Sequence, residues 1–205
     1  MSGHPTDVSD SRRILLLDLG GVLADLGDPV AAMGLDMTLP EFWTTWTSSS
    51  VVRALETGQI DKEEFLGAIP AVLGGTAATS FGPRFHAWQL RLFPGVEDCV
   101  RIALQHYRLA LLSNTNDLHW QQVTSASDVF SLFEHVFLSF ETGHYKPEPA
   151  AFFDVMEFFN CAPGEIVFVD DSEPNVRAAR ELGIDAHKVT GVVELEALLR
   201  ESDFT

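Results

Sequence analysis

The sequence predicts an α/β protein: a doubly wound parallel sheet, with an α-helical domain inserted after its first strand. Three observations carry that prediction. Ile14-Leu15-Leu16-Leu17 is an unbroken run of branched apolar residues, the pattern of a strand buried on both faces. Leu109-Ala110-Leu111-Leu112 and Ile166-Val167-Phe168-Val169 repeat it, with helix-patterned stretches around them. Between residues 29 and about 92 the signals are helical, with no convincing strand.

Taken in order, residues 1–12 read as a polar tail without the hydrophobic core of a secretory signal. After the first strand, Asp25-Leu26-Gly27-Asp28-Pro29 is turn-rich. Thr38-Leu39-Pro40-Glu41 is a capping box ahead of Phe42, Trp43 and Trp46, and Val51, Val52 and Leu55 continue at helical spacing until Thr57-Gly58. Asp61 and Glu64 open a helix carrying Phe65, Ile69 and Val72, with Pro70 as a kink and Gly74-Gly75 as its end. A further helix over 77–92 is expected to be interrupted near Gly82-Pro83. From Phe93-Pro94-Gly95 the alternation resumes: helix 96–107, strand 108–112, helix 117–133, strand 135–139, helix 149–159, strand 166–169, a helix closed by Gly183, and a last strand and helix over 185–200. The expected division is therefore a tail (1–12), an α/β core (13–25 and 93–205) and a helical insert (26–92).

In an open parallel sheet, ligands bind beyond the carboxyl ends of the strands. Four such positions carry complementary chemistry: Asp18-Leu19-Gly20-Gly21-Val22, Ser113-Asn114-Thr115-Asn116 with His119, Lys146-Pro147-Glu148, and Asp170-Asp171-Ser172. In this order they resemble the four motifs of the haloacid dehalogenase-like hydrolase superfamily, over nearly the whole chain after residue 12. The closer resemblance is to the phosphatase branch that includes alpha-D-glucose-1-phosphate phosphatase, which also has Gly where most phosphatases of the superfamily carry a second Asp. The resemblance implies a Rossmann-like core, a helical cap domain in the insert, and a Mg²⁺-dependent phosphatase of a small phosphorylated metabolite, a sugar phosphate and in particular a sugar 1-phosphate. It also implies a cis Lys146-Pro147 bond.

Each motif has chemistry to match. Asp18 is the expected nucleophile, forming an aspartyl-phosphate that divides one difficult displacement into two easier ones. The backbone amides of Leu19, Gly20 and Gly21 suit close approach to phosphoryl oxygens, and the Gly20 carbonyl suits a metal. Ser113 and Asn114 are expected to hydrogen-bond the phosphoryl group, and Lys146 to balance its charge. Asp18, Asp171 and Gly20 are the expected direct metal ligands, with Asp170 in an outer position; Asn175 fits support of the pair, capping or solvent contact equally. An Asp-Asp-Ser after a strand also suits helix capping. Arg53, His86 and Arg91 are candidate substrate contacts, whereas Trp43, Trp46 and Trp88 read as core. Asp25 is a candidate substitute acid, with turn formation its commoner role.

Composition narrows the class. The net charge is −17, from 30 acidic and 13 basic residues, which argues against nucleic acid and anionic membrane partners. Cys99 and Cys161 lack metal-type spacing and read as thiols of a reducing, cytoplasmic compartment. No apolar run approaches the ~18 residues of a membrane span. The expected assembly is a monomer or homodimer. Two other functions fit parts of the pattern. A 2-haloacid dehalogenase also uses an Asp nucleophile without the second Asp, but Asp170-Asp171 suits its site poorly. A degenerate, non-catalytic binding protein is favoured only by Gly20.

Overall fold

The computed structural model describes residues 11–74 and 78–201, so the expected tail lies outside the described residues except for its last two. The run Ile14–Leu17 forms β1, flanked on one side by β4 (Arg108–Ser113) and on the other by β6 (Ile166–Asp170). β5 (His135–Leu138) and β7 (Asp185–Lys188) complete a five-stranded sheet in the order β5-β4-β1-β6-β7, all parallel. Leu17 pairs with Leu111 and with Val169, so β1, β4 and β6 end side by side.

The period of two along β1 sorts its side chains onto opposite faces. Leu15 and Leu17 join Leu109, Leu111, Val167 and Val169 in one core, with Val100 of α6 (Val96–Ala103), Val123 of α7 (Asp117–Ala126) and Leu195 of α11 (Gly191–Glu201). Ile14 and Leu16 join Ala110, Leu112 and Phe168 in a second, with Phe152 of α9 (Pro149–Phe159) and Val176 of α10 (Glu173–Glu181). Both faces are covered by helices, as the continuous apolar strands predict. The short α8 (Ser139–Thr142) follows β5.

Between β1 and β4 the chain is mainly helical: α1 (Pro29–Met33), α2 (Leu39–Ser48), α3 (Ser50–Glu56), α4 (Lys62–Val72) and α5 (Ala78–Ala87). The predicted capping boxes at Thr38/Glu41 and Asp61/Glu64 are both present. Aromatic rings bind these helices together, with Trp46 4.9 Å from Trp88 and Phe65 5.1 Å from Phe85, centroid to centroid.

Several boundaries differ from expectation. A two-residue strand, β2 (Ala24–Asp25), pairs antiparallel with β3 (Arg91–Leu92), so residues 29–92 do contain a strand. Ser49 adopts an extended backbone and caps α3 through its side chain, dividing the helical run. Pro83 lies inside α5, where burial of Phe81 and Phe85 offsets its missing N–H. The helix from Val96 stops at Ala103, and 117–133 divides into α7 and a 3₁₀ turn at Val129–Leu132.

Candidate active site

The ends of β1, β4 and β6 meet the segment that follows α8 beyond the carboxyl edge of the sheet, so Lys146 is not at a strand end as the sequence suggested. Asp18 follows β1 and is bonded through its N–H to Val169 O (2.9 Å), fixing it beside the start of the Asp170-Asp171 pair. Lys146, from the segment after α8, enters between them and is 2 % exposed. Its ammonium donates to Asp18 Oδ1 (2.7 Å), Asp170 Oδ2 (2.7 Å) and Leu112 O (2.6 Å), using all three of its protons. Asn114 aims it: Asn114 Oδ1 accepts from Lys146 N, and Asn114 Nδ2 donates to Lys146 O, both at 2.8 Å. The Lys146-Pro147 peptide is cis, as expected.

The acidic groups converge with the lysine. One carboxylate oxygen from each of Asp18, Asp170 and Asp171 lies within 4.8 Å of the others. Burial drives the Asp18 carboxyl upward, Lys146 opposes this, and Asp170 and Asp171 add to it. Burial, then Asp170, raises Asp171 to about 6. Asp170 is fully buried and already accepts from Lys146, from Ser172 N (2.8 Å) and from Asn175 Nδ2 (3.1 Å to each oxygen). Asn175 therefore supports the acidic pair. Asp171 fits closely against Gly21, where an added Cβ would lie 2.1 Å from Asp171 Oδ2. Hard, anionic oxygens in this arrangement are a suitable donor set for a small divalent cation such as Mg²⁺.

The other predicted residues are placed unequally. Ser113, Leu19 and Gly20 line the same cavity as Asp18 and Lys146. Gly21 donates its N–H to Ala24 O (2.8 Å), so that amide serves the turn and not a ligand. The Asn114 side chain is committed to positioning Lys146. Asp25 accepts from Gly27 N (2.9 Å) and stays exposed, the turn role. The three candidate cap contacts lie elsewhere. Arg53 pairs with Glu148 (2.5 Å), His86 with Lys62 (2.7 Å), and Arg91 sits in a separate surface cleft.

A sequence model of the haloacid dehalogenase-like hydrolase family matches residues 13–183. The chain belongs to that family. D-ribitol-5-phosphate phosphatase of Bacteroides thetaiotaomicron is 26% identical over 189 residues, covering 83% of this chain and 88% of that protein. A phosphoglycolate phosphatase of Pseudomonas putida is 25% identical over 192 residues, covering 87% and 69%. A haloacid dehalogenase family enzyme from B. thetaiotaomicron, solved with magnesium and inorganic phosphate, superposes with a TM-score of 0.71 at 29% identity, covering 86% of this chain and 93% of that one.

This family member has a partly open cavity of about 350 Å³ at Asp18, and much of its lining comes from residues that sequence reasoning did not select. Trp43, Trp46 and Trp88, expected to be core alone, also line it, together with Leu26, Thr47, Glu56, His119 and Tyr145. Glu56 is buried and accepts from Tyr145 Oη (3.1 Å); burial raises its carboxyl to about 7 against the pull of Tyr145 and Trp46. His119 Nδ1 faces Asn116 Nδ2 (3.0 Å), and burial lowers the ring to about 3, so the imidazole is neutral. One sequence signal was available. Glu56 follows the buried Val52 by four residues, which puts a carboxyl on the inward face of α3.

Proposed function

We propose that the chain is a phosphatase that hydrolyses a small phosphorylated metabolite, a sugar 1-phosphate in particular, through an aspartyl-phosphate on Asp18. The observation that carries this reading is the Lys146 ammonium joining Asp18 to Asp170 at 2.7 Å each, at the floor of the cavity. Lys146 orients one Asp18 oxygen, and the other attacks phosphorus. The ester P–O bond breaks and the sugar departs as its alkoxide, which takes a proton from water. Water then cleaves the acyl phosphate, releasing phosphate and restoring the Asp18 carboxylate. Ser113 hydrogen-bonds the phosphoryl oxygens during transfer.

The cofactor is Mg²⁺. Asp18, Asp171 and the Gly20 carbonyl would hold it directly, with Asp170 in an outer position kept in place by Asn175 and Lys146. When bound it neutralises charge on the phosphoryl oxygens, which the three carboxylates would otherwise repel. Residues 26–92 act as a cap over the core (13–25 and 93–201 among the described residues), crossed by the β2–β3 pair.

Sugar 1-phosphates are favoured by leaving-group chemistry. Gly20 offers no proton donor where the chain leaves Asp18, and Leu26 Cδ2 lies 2.9 Å from where its Cβ would be. General acid catalysis contributes ~10²–10⁴-fold, so without it the less basic anomeric oxygen departs more readily than a primary alkoxide. The ring oxygen withdraws electron density from the anomeric position. Phosphate release from a panel of phosphorylated metabolites, with and without Mg²⁺, tests the reading. Magnesium-dependent release supports it, and no release from any ester rejects it.

A further inference from the structure

The cavity has two chemically different ends. At its floor are Asp18, Ser113, Lys146 and Asp171, which the phosphoryl group would occupy. Much of the remaining lining is apolar, built from Leu26, Trp43, Trp46, Trp88 and Leu90. A buried carboxyl in such a wall is costly unless it is hydrogen-bonded. Glu56 has that carboxyl. Tyr145 and Trp46 each occupy one of its acceptor positions, and a carboxyl offers about four. Tyr145 adjoins Lys146 in sequence, so the Tyr145–Glu56 bond ties the helical segment to the loop that carries the cation.

His119 supplies the complement. Asn116 Oδ1 accepts from His119 N (3.2 Å), which turns the Asn116 amide nitrogen toward His119 Nδ1 (3.0 Å). Nδ1 is then an acceptor, and the proton of the neutral ring is on Nε2. His119 Nε2 has no hydrogen-bond partner, the sole buried side-chain polar atom in that condition among the described residues. The cavity lining thus holds an acceptor with capacity remaining and a donor lacking an acceptor. A hydroxyl group answers both, because it donates and accepts. A carboxylate answers only the histidine and is repelled by Glu56.

We infer that Glu56, assisted by His119, is the specificity-determining group of this site, selecting phosphate esters of polyhydroxylated alcohols and rejecting those that carry a carboxylate. The inference rests on the phosphatase reading. It separates two chemistries found among the relatives, a polyol phosphate and phosphoglycolate. The aromatic wall suits the C–H face of a sugar or polyol, and the polar pair suits its hydroxyl edge.

The test measures kcat and KM for glucose 1-phosphate, ribitol 5-phosphate, phosphoglycolate and phenyl phosphate, in wild type and Glu56→Gln, at pH 8. Burial holds the Glu56 carboxyl near 7, with Tyr145 and Trp46 as its hydrogen-bond partners and Arg53 stacked on the Tyr145 ring, so at pH 8 it is charged. Wild type is expected to prefer the hydroxylated esters to phosphoglycolate by at least about tenfold in kcat/KM. Glu56→Gln is expected to lower the ratio of hydroxylated-ester to phenyl-phosphate kcat/KM by about tenfold or more, through KM, and to raise relative activity on phosphoglycolate. Three results would overturn the inference. They are wild-type preference for phosphoglycolate, an unchanged ratio in the variant, or equal losses on every ester carried by kcat. If wild type releases phosphate from no ester, including phenyl phosphate, the phosphatase reading itself has failed.

Discussion

At the scale of single residues, the site depends on Lys146 having two carboxylates and each carboxylate having Lys146. Breaking a buried pair by removing one partner costs roughly 3–5 kcal/mol, because the remaining charge is left without compensation. Asp170→Ala takes the Oδ2 acceptor from Lys146 and both acceptors from Asn175. It is expected to lower the thermal midpoint substantially, whereas Asp171→Ala, at the half-buried edge of the cluster, is expected to unfold near wild type and to lose Mg²⁺ binding in a calorimetric titration. Wild-type Mg²⁺ affinity in the Asp171 variant would show that the ligand is misassigned. Gly20 leads to a second expectation at this scale. Glucose 1-phosphate should be hydrolysed faster than glucose 6-phosphate, and rates across a series of esters should fall as the leaving alcohol becomes more basic. Equal rates, or preference for the 6-phosphate, would contradict the leaving-group argument. Gly20→Asp should narrow the difference, provided that the end of the Leu26 side chain yields the 2.9 Å it occupies.

At the scale of elements, what the sequence reveals depends on how local the signal is. β1, β4 and β6 are legible because continuous apolar runs bounded by helical periodicity have few other readings, and their ends deliver Asp18, Ser113 and Asp170-Asp171 together. α2 and α4 are legible through their capping boxes. β2 and β3 are not: each is two residues long and exists only because residues 24 and 92 are brought together. The Asn114–Lys146 clamp and the Tyr145–Glu56 bond are equally invisible, since each joins segments whose meeting is set by the fold. α3 carries its own prediction. The Glu56 carboxyl titrates near 7 in the folded chain against 4.5 for an ordinary Glu, so between those values the native state holds a proton that the unfolded chain has lost. Its contribution therefore falls as pH rises from about 4.5 to 7, by on the order of 3 kcal/mol. Glu56→Gln should gain thermal stability relative to wild type at pH 8 and lose that advantage at pH 5. An advantage independent of pH would mean that the carboxyl is not held as the structure implies.

At the scale of the whole molecule, one core runs from the sheet into the helical segment, with Leu15 and Leu17 in the same cluster as Phe42, Trp46 and Phe85. Trp88 Nε1 donates to Leu26 O (2.6 Å) within the helical segment, and Arg53 pairs with Glu148 of the core, tying the segment to it. Burial of Asp18 and Asp170 strengthens their interactions with a cation and a phosphoryl group. Among the described residues no helix is long and apolar enough to cross a membrane. The net charge of −17 makes a divalent cation the natural neutraliser of a site that must also accept a phosphate dianion. The most direct test of the central claim is the initial rate of phosphate release from glucose 1-phosphate, measured with Mg²⁺ and with excess chelator, in wild type and Asp18→Asn. The account predicts release by wild type with Mg²⁺, and a loss of about 10²-fold or more on chelation or in the variant. Undiminished release in chelator, or an Asp18→Asn rate above about a tenth of wild type, would contradict it.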